Sequence, residues 1–145
     1  MLGGNNGAST ISTSTFGAIT IPDTLGGCAV AVIGDGALRD CNALTLITIP
    51  DGVKHIGNDA FRGCSGLMTL AIPNGVTNIG ARAFYGAGNI TKIVMPDSVI
   101  YIGREAFNGC GSLRSFTIPT KISVIEDRLF EWCSFPSIDI PYGVT

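Results

Sequence analysis

Apolar and turn-forming residues recur along this chain at a fixed interval of 23 residues. The interval connects three columns of prolines, isoleucines and phenylalanines: Pro50, Pro73, Pro96 and Pro119; Ile56, Ile79, Ile102 and Ile125; and Phe61, Phe84, Phe107 and Phe130. A unit of this length cannot bury its apolar side chains alone, so neighbouring units must stack and share one core. The pattern therefore predicts a solenoid.

Each repeat, which we call a rung, contains two segments with the character of a β-strand. The first, such as LTLITIP at residues 44–50, is rich in β-branched residues and ends at a proline, which cannot donate to a ladder. The second, such as GVKHIG at residues 52–57, ends in a glycine that permits a turn. A corner such as NDAFRGC, at 58–64, places its phenylalanine inside. We expect a β-rich solenoid of about five 23-residue rungs, with a parallel sheet and a second face of short strands.

The domain organisation follows from where the repeat begins and is interrupted. The first rung fits only if five residues are inserted after Pro22, and we expect this insertion, at about residues 25–29, to bulge as a loop. Residues 16–145 are predicted to be a single solenoid domain, because the chain is too short for two domains of ordinary size. Residues 1–15 are predicted to be a flexible or capping segment, without the features of a signal peptide.

Composition and charge exclude several classes of protein. The hydrophobic fraction of 46% and the charged fraction of 14% do not fit a disordered chain. The net charge of −2 gives no electrostatic reason to expect a nucleic acid or an anionic membrane as partner. No run of about 18 apolar residues is present, so insertion into a membrane is not expected.

Catalytic and metal chemistry have little support in the sequence. His55 is the only histidine, so any triad-type mechanism would need it. The equivalent positions in later rungs hold Asn78, Tyr101 and Val124, which indicates a variable, solvent-facing position of the second strand. No Cys-x-x-Cys pair exists, and one histidine cannot complete a metal site. We predict no catalytic residue, no metal ligand, no cofactor and no small-molecule substrate.

Four of the five cysteines occupy one position of the repeat: Cys41, Cys64, Cys110 and Cys133. Ala87 fills this position in the remaining rung, so the position suits a small apolar side chain. Disulfides between adjacent rungs are one reading, but parallel side chains at strand spacing leave the Cβ atoms too far apart for relaxed geometry. Buried free thiols are therefore favoured. Cys28, in the insertion, is predicted to be exposed, where it could react or cross-link.

The outward positions of the first strands form a candidate binding face. If Leu44, Ile47 and Ile49 point inward, the residues between them point outward, and later rungs repeat this alternation. We name this surface the strand face, and it comprises Leu46, Thr48, Thr69, Ala71, Lys92, Val94, Ser115 and Thr117. The face is small, β-branched and nearly uncharged. It suits a broad contact with a protein or another sheet, and a solvated sheet without a ligand fits equally well.

The two ends of the stack suggest an alternative function. The sequence IPYGVT, at residues 140–145, starts a rung without finishing it, and unpaired strand edges can recruit another chain. The candidate end-to-end contacts are Pro141, Tyr142, Val144, Phe16, Ile19 and Ile21. These contacts predict a structural subunit that assembles head to tail into filaments.

The rung IPDGVKHIGNDAFRGCSGLMTLA, at residues 49–71, and its repeats resemble the BspA-like, or Treponema pallidum-type, leucine-rich repeats. The resemblance covers residues 16–145 and implies a leucine-rich-repeat-like, right-handed stack. It also implies an extracellular or cell-surface protein that binds host matrix or cell-surface proteins without catalysis, although a cytoplasmic location stays open. We therefore interpret the chain as a non-enzymatic protein-interaction scaffold linked to adhesion, with self-assembly as the alternative.

Overall fold

Ten short strands make up the regular secondary structure of residues 17–145. The structure, a computed structural model, describes residues 17–145, so the predicted segment 1–15 and Phe16 lie outside the described residues. The strands are β1 (Gly17–Thr20), β2 (Thr24–Leu25), β3 (Cys28–Ala29), β4 (Val32–Ile33), β5 (Leu44–Thr48), β6 (His55–Ile56), β7 (Thr69–Ala71), β8 (Asn78–Ile79), β9 (Lys92–Val94) and β10 (Tyr101–Ile102). Residues 17–145 contain no α-helix. No helix in this range could therefore cross a membrane.

The second strands of successive rungs form one parallel sheet in the order β4-β6-β8-β10. His55 pairs with Val32 above and with Asn78 below, and Asn78 pairs with Tyr101. Each step in the ladder advances by the 23-residue period, so the repeat read from the sequence is the register of the sheet. The predicted β-solenoid with parallel sheets is confirmed.

The first strands form two separate parallel pairs, β1 with β5 and β7 with β9. No ladder joins β5 to β7, and no strand is assigned between residues 103 and 145, so the strand predicted at LRSFTIP is absent. Phe116 stands where earlier rungs hold Ile47, Leu70 or Ile93, and its ring packs 4.8 Å from that of Phe130.

The second sheet ends at β10 because the next rung lacks a stacking glycine. Gly57, Gly80 and Gly103 lie above one another, and a Cβ on Gly103 would lie 2.5 Å from the Ala81 nitrogen. Glu126 holds this position in the next rung and carries a Cβ. That rung therefore cannot approach its neighbour in the same way.

The third side of each rung is a tight corner bonded to the next corner. The N–H of Phe61 donates to the carbonyl of Ala83 at 2.7 Å, and the N–H of Phe84 donates to that of Ala106 at 2.8 Å. Equivalent bonds join corners from residue 36 to residue 131, which gives five stacked corners. The rings of Phe61, Phe84 and Phe107 stack inside, with centroid separations of 5.1 and 5.4 Å.

The insertion near the start folds as a hairpin rather than as an irregular loop. β2 and β3 pair antiparallel, Thr24 with Ala29 and Leu25 with Cys28. Gly26 and Gly27 connect them, both with positive φ, which is the backbone that a two-residue hairpin turn needs. The hairpin leaves the period intact on either side.

Candidate functional site

The strand face is exposed along its whole length. All eight of its residues are exposed, whereas Leu44, Ile47 and Ile49 on the same strand segment are buried. The alternation follows from the pleat, which turns successive side chains to opposite sides. The exposure makes the face accessible to a partner, and its role in binding stays a prediction.

A shallow groove of about 310 Å³ crosses the strand face. The small side chains of Thr69 and Ala71 lie along its floor, between Leu46 on one side and Lys92 and Val94 on the other. The groove lies where β5 and β7 fail to form a ladder. The volume of the groove is at the lower limit of the range for ligand pockets. The groove can therefore accommodate a few side chains of a partner, but it cannot enclose a cofactor.

Two cations stand at this surface. Lys92 in β9 and Arg114 in the following rung are both exposed, and neither takes part in a salt bridge among residues 17–145. Lys92 was predicted to lie on the strand face, whereas Arg114 was not among the predicted residues. The repeat register could have found Arg114, because it occupies the position of Thr45, one residue before Leu46.

His55 lies exposed in β6, on the opposite side of the rung from β5. Its two ladder neighbours are a valine and an asparagine, so the ladder brings no catalytic partner beside it. Across the part of the chain that the structure describes, no group of three or more His, Cys, Asp or Glu residues could hold a metal ion.

The cysteines are free thiols, as the sequence analysis favours. Three of the repeat cysteines are buried, Cys133 is half-buried and Cys28 is exposed. The thiol of Cys64 donates to the carbonyl of Leu38 at 3.0 Å, and that of Cys133 donates to the carbonyl of Phe107 at 3.2 Å. Burial raises the pKa of Cys64 to about 12 and that of Cys133 to about 11. These thiols serve packing and are poor nucleophiles.

The residues predicted to join chains end to end differ in accessibility. Tyr142 is fully exposed, and Pro141, Val144 and Ile19 are half-buried. Ile21 is only 3% exposed, and its N–H already donates to the carbonyl of Thr48. Ile21 therefore belongs to the core of this chain, and its part in an end-to-end contact stays a prediction. Phe16 lies outside the described residues.

Three charged side chains on the corners form an interaction that was not predicted from the sequence. Asp59 accepts two bonds from Arg82 in the next rung, at 3.0 and 3.1 Å, and a third from Arg62 at 3.3 Å. Burial raises the pKa of Asp59, but the bonds and charges of Arg82 and Arg62 outweigh this and hold the pKa below its usual value. Both Asp59 and Arg82 adopt positive φ, a conformation that the sequence does not reveal for non-glycine residues.

Comparison with known proteins places these features in a family. A model described as "BspA type Leucine rich repeat region" matches six copies over residues 31–145, which is most of the chain. The chain belongs to the BspA-type leucine-rich repeat family. The resemblance stated from the rungs is thereby confirmed, and such repeats generally act as scaffolds for protein interaction.

Solved structures of leucine-rich repeat proteins share the fold. The leucine-rich repeat protein of T. pallidum is 27% identical, with a TM-score of 0.72 over 80% of this chain and 65% of that chain. A leucine-rich cell surface protein from Faecalibacterium prausnitzii is 36% identical, with a TM-score of 0.80 over 88% of this chain and 36% of that one. A leucine-rich repeat protein from Bacteroides ovatus is 29% identical, with a TM-score of 0.62 over 88% and 38%.

This BspA-type chain thus spans between about a third and two thirds of the length of these three structures. No curated protein sequence matches it.

Proposed function

We propose that this domain is a non-enzymatic interaction module at the cell surface, which binds a host matrix or cell-surface protein through the strand face. The observation that carries the proposal is the strand face itself, a row of eight exposed side chains with a groove between two of its rungs. A rigid, flat surface of small and β-branched side chains suits a broad protein contact. Adhesion is the biological role that such binding would serve.

The known proteins support this proposal in two respects. BspA-type repeats are typically non-enzymatic. One related structure is described as a cell surface protein, which supports an extracellular location. The partner would contact outward positions of the strand face at which the residue differs from rung to rung, such as Leu46, Thr69 and Lys92.

The test compares two substitutions of equal chemistry on different faces. Val94, on the strand face, is 52% exposed, and Ile100, beside β10, is 51% exposed. Biolayer interferometry would measure the binding of purified wild type, Val94→Asp and Ile100→Asp to a panel of matrix and cell-surface proteins. We expect a partner that binds wild type and Ile100→Asp equally but binds Val94→Asp at least tenfold more weakly. A partner that both or neither substitution weakens would place the contact elsewhere.

Head-to-tail assembly is the second candidate, and the last rung favours it. Its apolar side chains are only half-buried: Ile125, Phe130, Cys133, Phe135 and Ile138. Thr145 bonds to the backbone of this rung. Its N–H donates to the carbonyl of Ser123, and its carbonyl accepts from the N–H of Ile125. Another rung from a second copy of the chain would cover this surface.

Charge opposes such assembly and gives it a testable signature. Residues 17–44 carry three acidic side chains and one basic, and residues 118–145 carry four acidic and two basic. Two acidic ends repel each other, so assembly should increase with ionic strength. Light scattering over a range of protein and salt concentrations, with electron microscopy, would show filaments if the candidate is right. A monomer mass at all salt concentrations would reject it.

A further inference from the structure

The eight residues of the strand face include one positive charge and no negative charge, and this limits the chemistry of a partner that could bind there. Of these eight residues only Lys92 is charged, and in the next rung Arg114 holds the register position of Thr91, the residue before Lys92. Both are exposed, and within residues 17–145 neither has an acidic partner. The four arginines that form salt bridges lie on the corners: Arg39, Arg62, Arg82 and Arg104. The groove therefore presents a lysine without an acidic partner, while the acidic side chain of Asp139 lies near Thr117 at the other end of the face.

The groove has the shape of a trough for one extended chain segment. Its floor follows β7, where Thr69 and Ala71 are small, and its walls are Leu46 in the rung above and Lys92 with Val94 in the rung below. Lys92 and Val94 are two residues apart on one strand, so their outward side chains are about 7 Å apart. A segment lying along the trough would place its own alternate side chains at the same interval.

We propose, building on the proposed function, that the partner inserts an extended acidic peptide segment into this trough. An aspartate or glutamate would pair with Lys92 and Arg114, and an aliphatic residue two positions away would pack against Val94 and Leu46. An arginine matches a carboxylate in a two-pronged geometry, and the pair fixes the register of the segment. A polyanion such as nucleic acid fits poorly, because it needs several cations and the chain is acidic overall.

The experiment selects peptides without assuming a partner. A phage-displayed library of random nine-residue peptides is selected on the immobilised full chain, and the most enriched peptide is synthesised with a fluorescent label. Fluorescence polarisation then measures its affinity for wild type and for two double variants. Lys92→Glu with Arg114→Glu reverses the charge of the strand face. Lys54→Glu with Lys121→Glu is the matched control, because it changes the net charge equally at exposed positions elsewhere.

We expect enrichment of an acidic residue two positions from an aliphatic one. The strand-face double variant should lose at least tenfold in affinity, and the control should keep affinity within twofold. Equal losses in both double variants would reduce the effect to net charge and overturn the proposal. Enriched peptides without acidic residues, if Val94→Asp abolishes their binding, would overturn the acidic segment but leave the strand face as the binding surface. A selection without enrichment would reject extended peptides, while the panel of folded proteins would still test the proposed function.

Discussion

The stacked glycines of the second sheet can be tested by adding a single methyl group. Gly80 has an ordinary φ, so its requirement for glycine does not come from backbone conformation. A Cβ built on Gly80 would lie 2.6 Å from the nitrogen of Asn58 and 2.7 Å from the carbonyl carbon of Gly57. Both atoms belong to the backbone of the rung above, which is held by the ladder bond from the Gly80 N–H to the Ile56 carbonyl. The substitution Gly80→Ala therefore forces two bonded rungs apart.

The expected cost follows from what must move. Overpacking of a well-packed interior costs about 1–3 kcal/mol when side chains and backbone shift to relieve it. We expect about 2–3 kcal/mol for Gly80→Ala, at the upper end of that range, because backbone atoms cannot rotate away as a flexible side chain can. For a chain of this size, that loss corresponds to a fall in Tm of roughly 5–10 °C.

Gly88→Ala is the matched control, since Gly88 lies in the next corner region and is also half-buried with an ordinary φ. A Cβ there would lie 3.6 Å from the Gly109 carbonyl oxygen, which is an ordinary contact. The variant should be unchanged or more stable by up to about 1 kcal/mol, because alanine restricts the unfolded chain. Urea unfolding followed by circular dichroism measures both free energies. Free energies of unfolding within 0.5 kcal/mol of each other would refute the steric reasoning.

Three further predictions concern packing, thiols and pH. Phe84→Ala should lower the free energy of unfolding in urea by about 3–5 kcal/mol, and Phe130→Ala by less, because Phe84 is fully buried and Phe130 only half-buried. In native protein at pH 8, a thiol reagent should modify Cys28 alone quickly, because the raised pKa leaves the Cys64 thiolate about a thousandfold scarcer than in an ordinary thiol. Asp59→Asn should cost at most about 1 kcal/mol at neutral pH, and in thermal melts this difference should vanish as the pH falls below 3.8, through the lowered folded-state pKa.

The period carried most of the information on the fold. Equivalent residues such as Ile56 and Ile79 are ladder partners, so the 23-residue spacing alone predicts the register of the second sheet. Burial of Cys41, Cys64 and Cys110 and exposure of the strand face also followed, because a position keeps a similar environment in most rungs; Cys133, in the last rung, is half-buried. A repeat makes such inferences reliable, since several residues report on the same environment.

Features that depend on one side chain could not be read from the period. Phe116 looks like one more apolar residue at an inward position, and its packing against the rings of Phe107 and Phe130 could not be read from the period. The hairpin of the insertion depends on the positive φ of Gly26 and Gly27, although two glycines between short apolar pairs are a signal that predicts it. The hydrogen bonds that Arg82 donates to Asp59 could be identified only from the geometry of the corners.

The division of each rung into fixed and variable positions connects this framework to recognition. Positions inside the stack accept little variation, as the unbroken glycines at 57, 80 and 103 and the phenylalanines at 61, 84 and 107 illustrate. Outward positions such as Leu46, Thr69 and Lys92 differ from rung to rung, although all three lie in first strands. Because an outward side chain contributes little to the core, substitutions there change the surface at small cost in stability. The binding specificity of the strand face can therefore be altered one residue at a time, because the stacked rungs fix the spacing between contact positions.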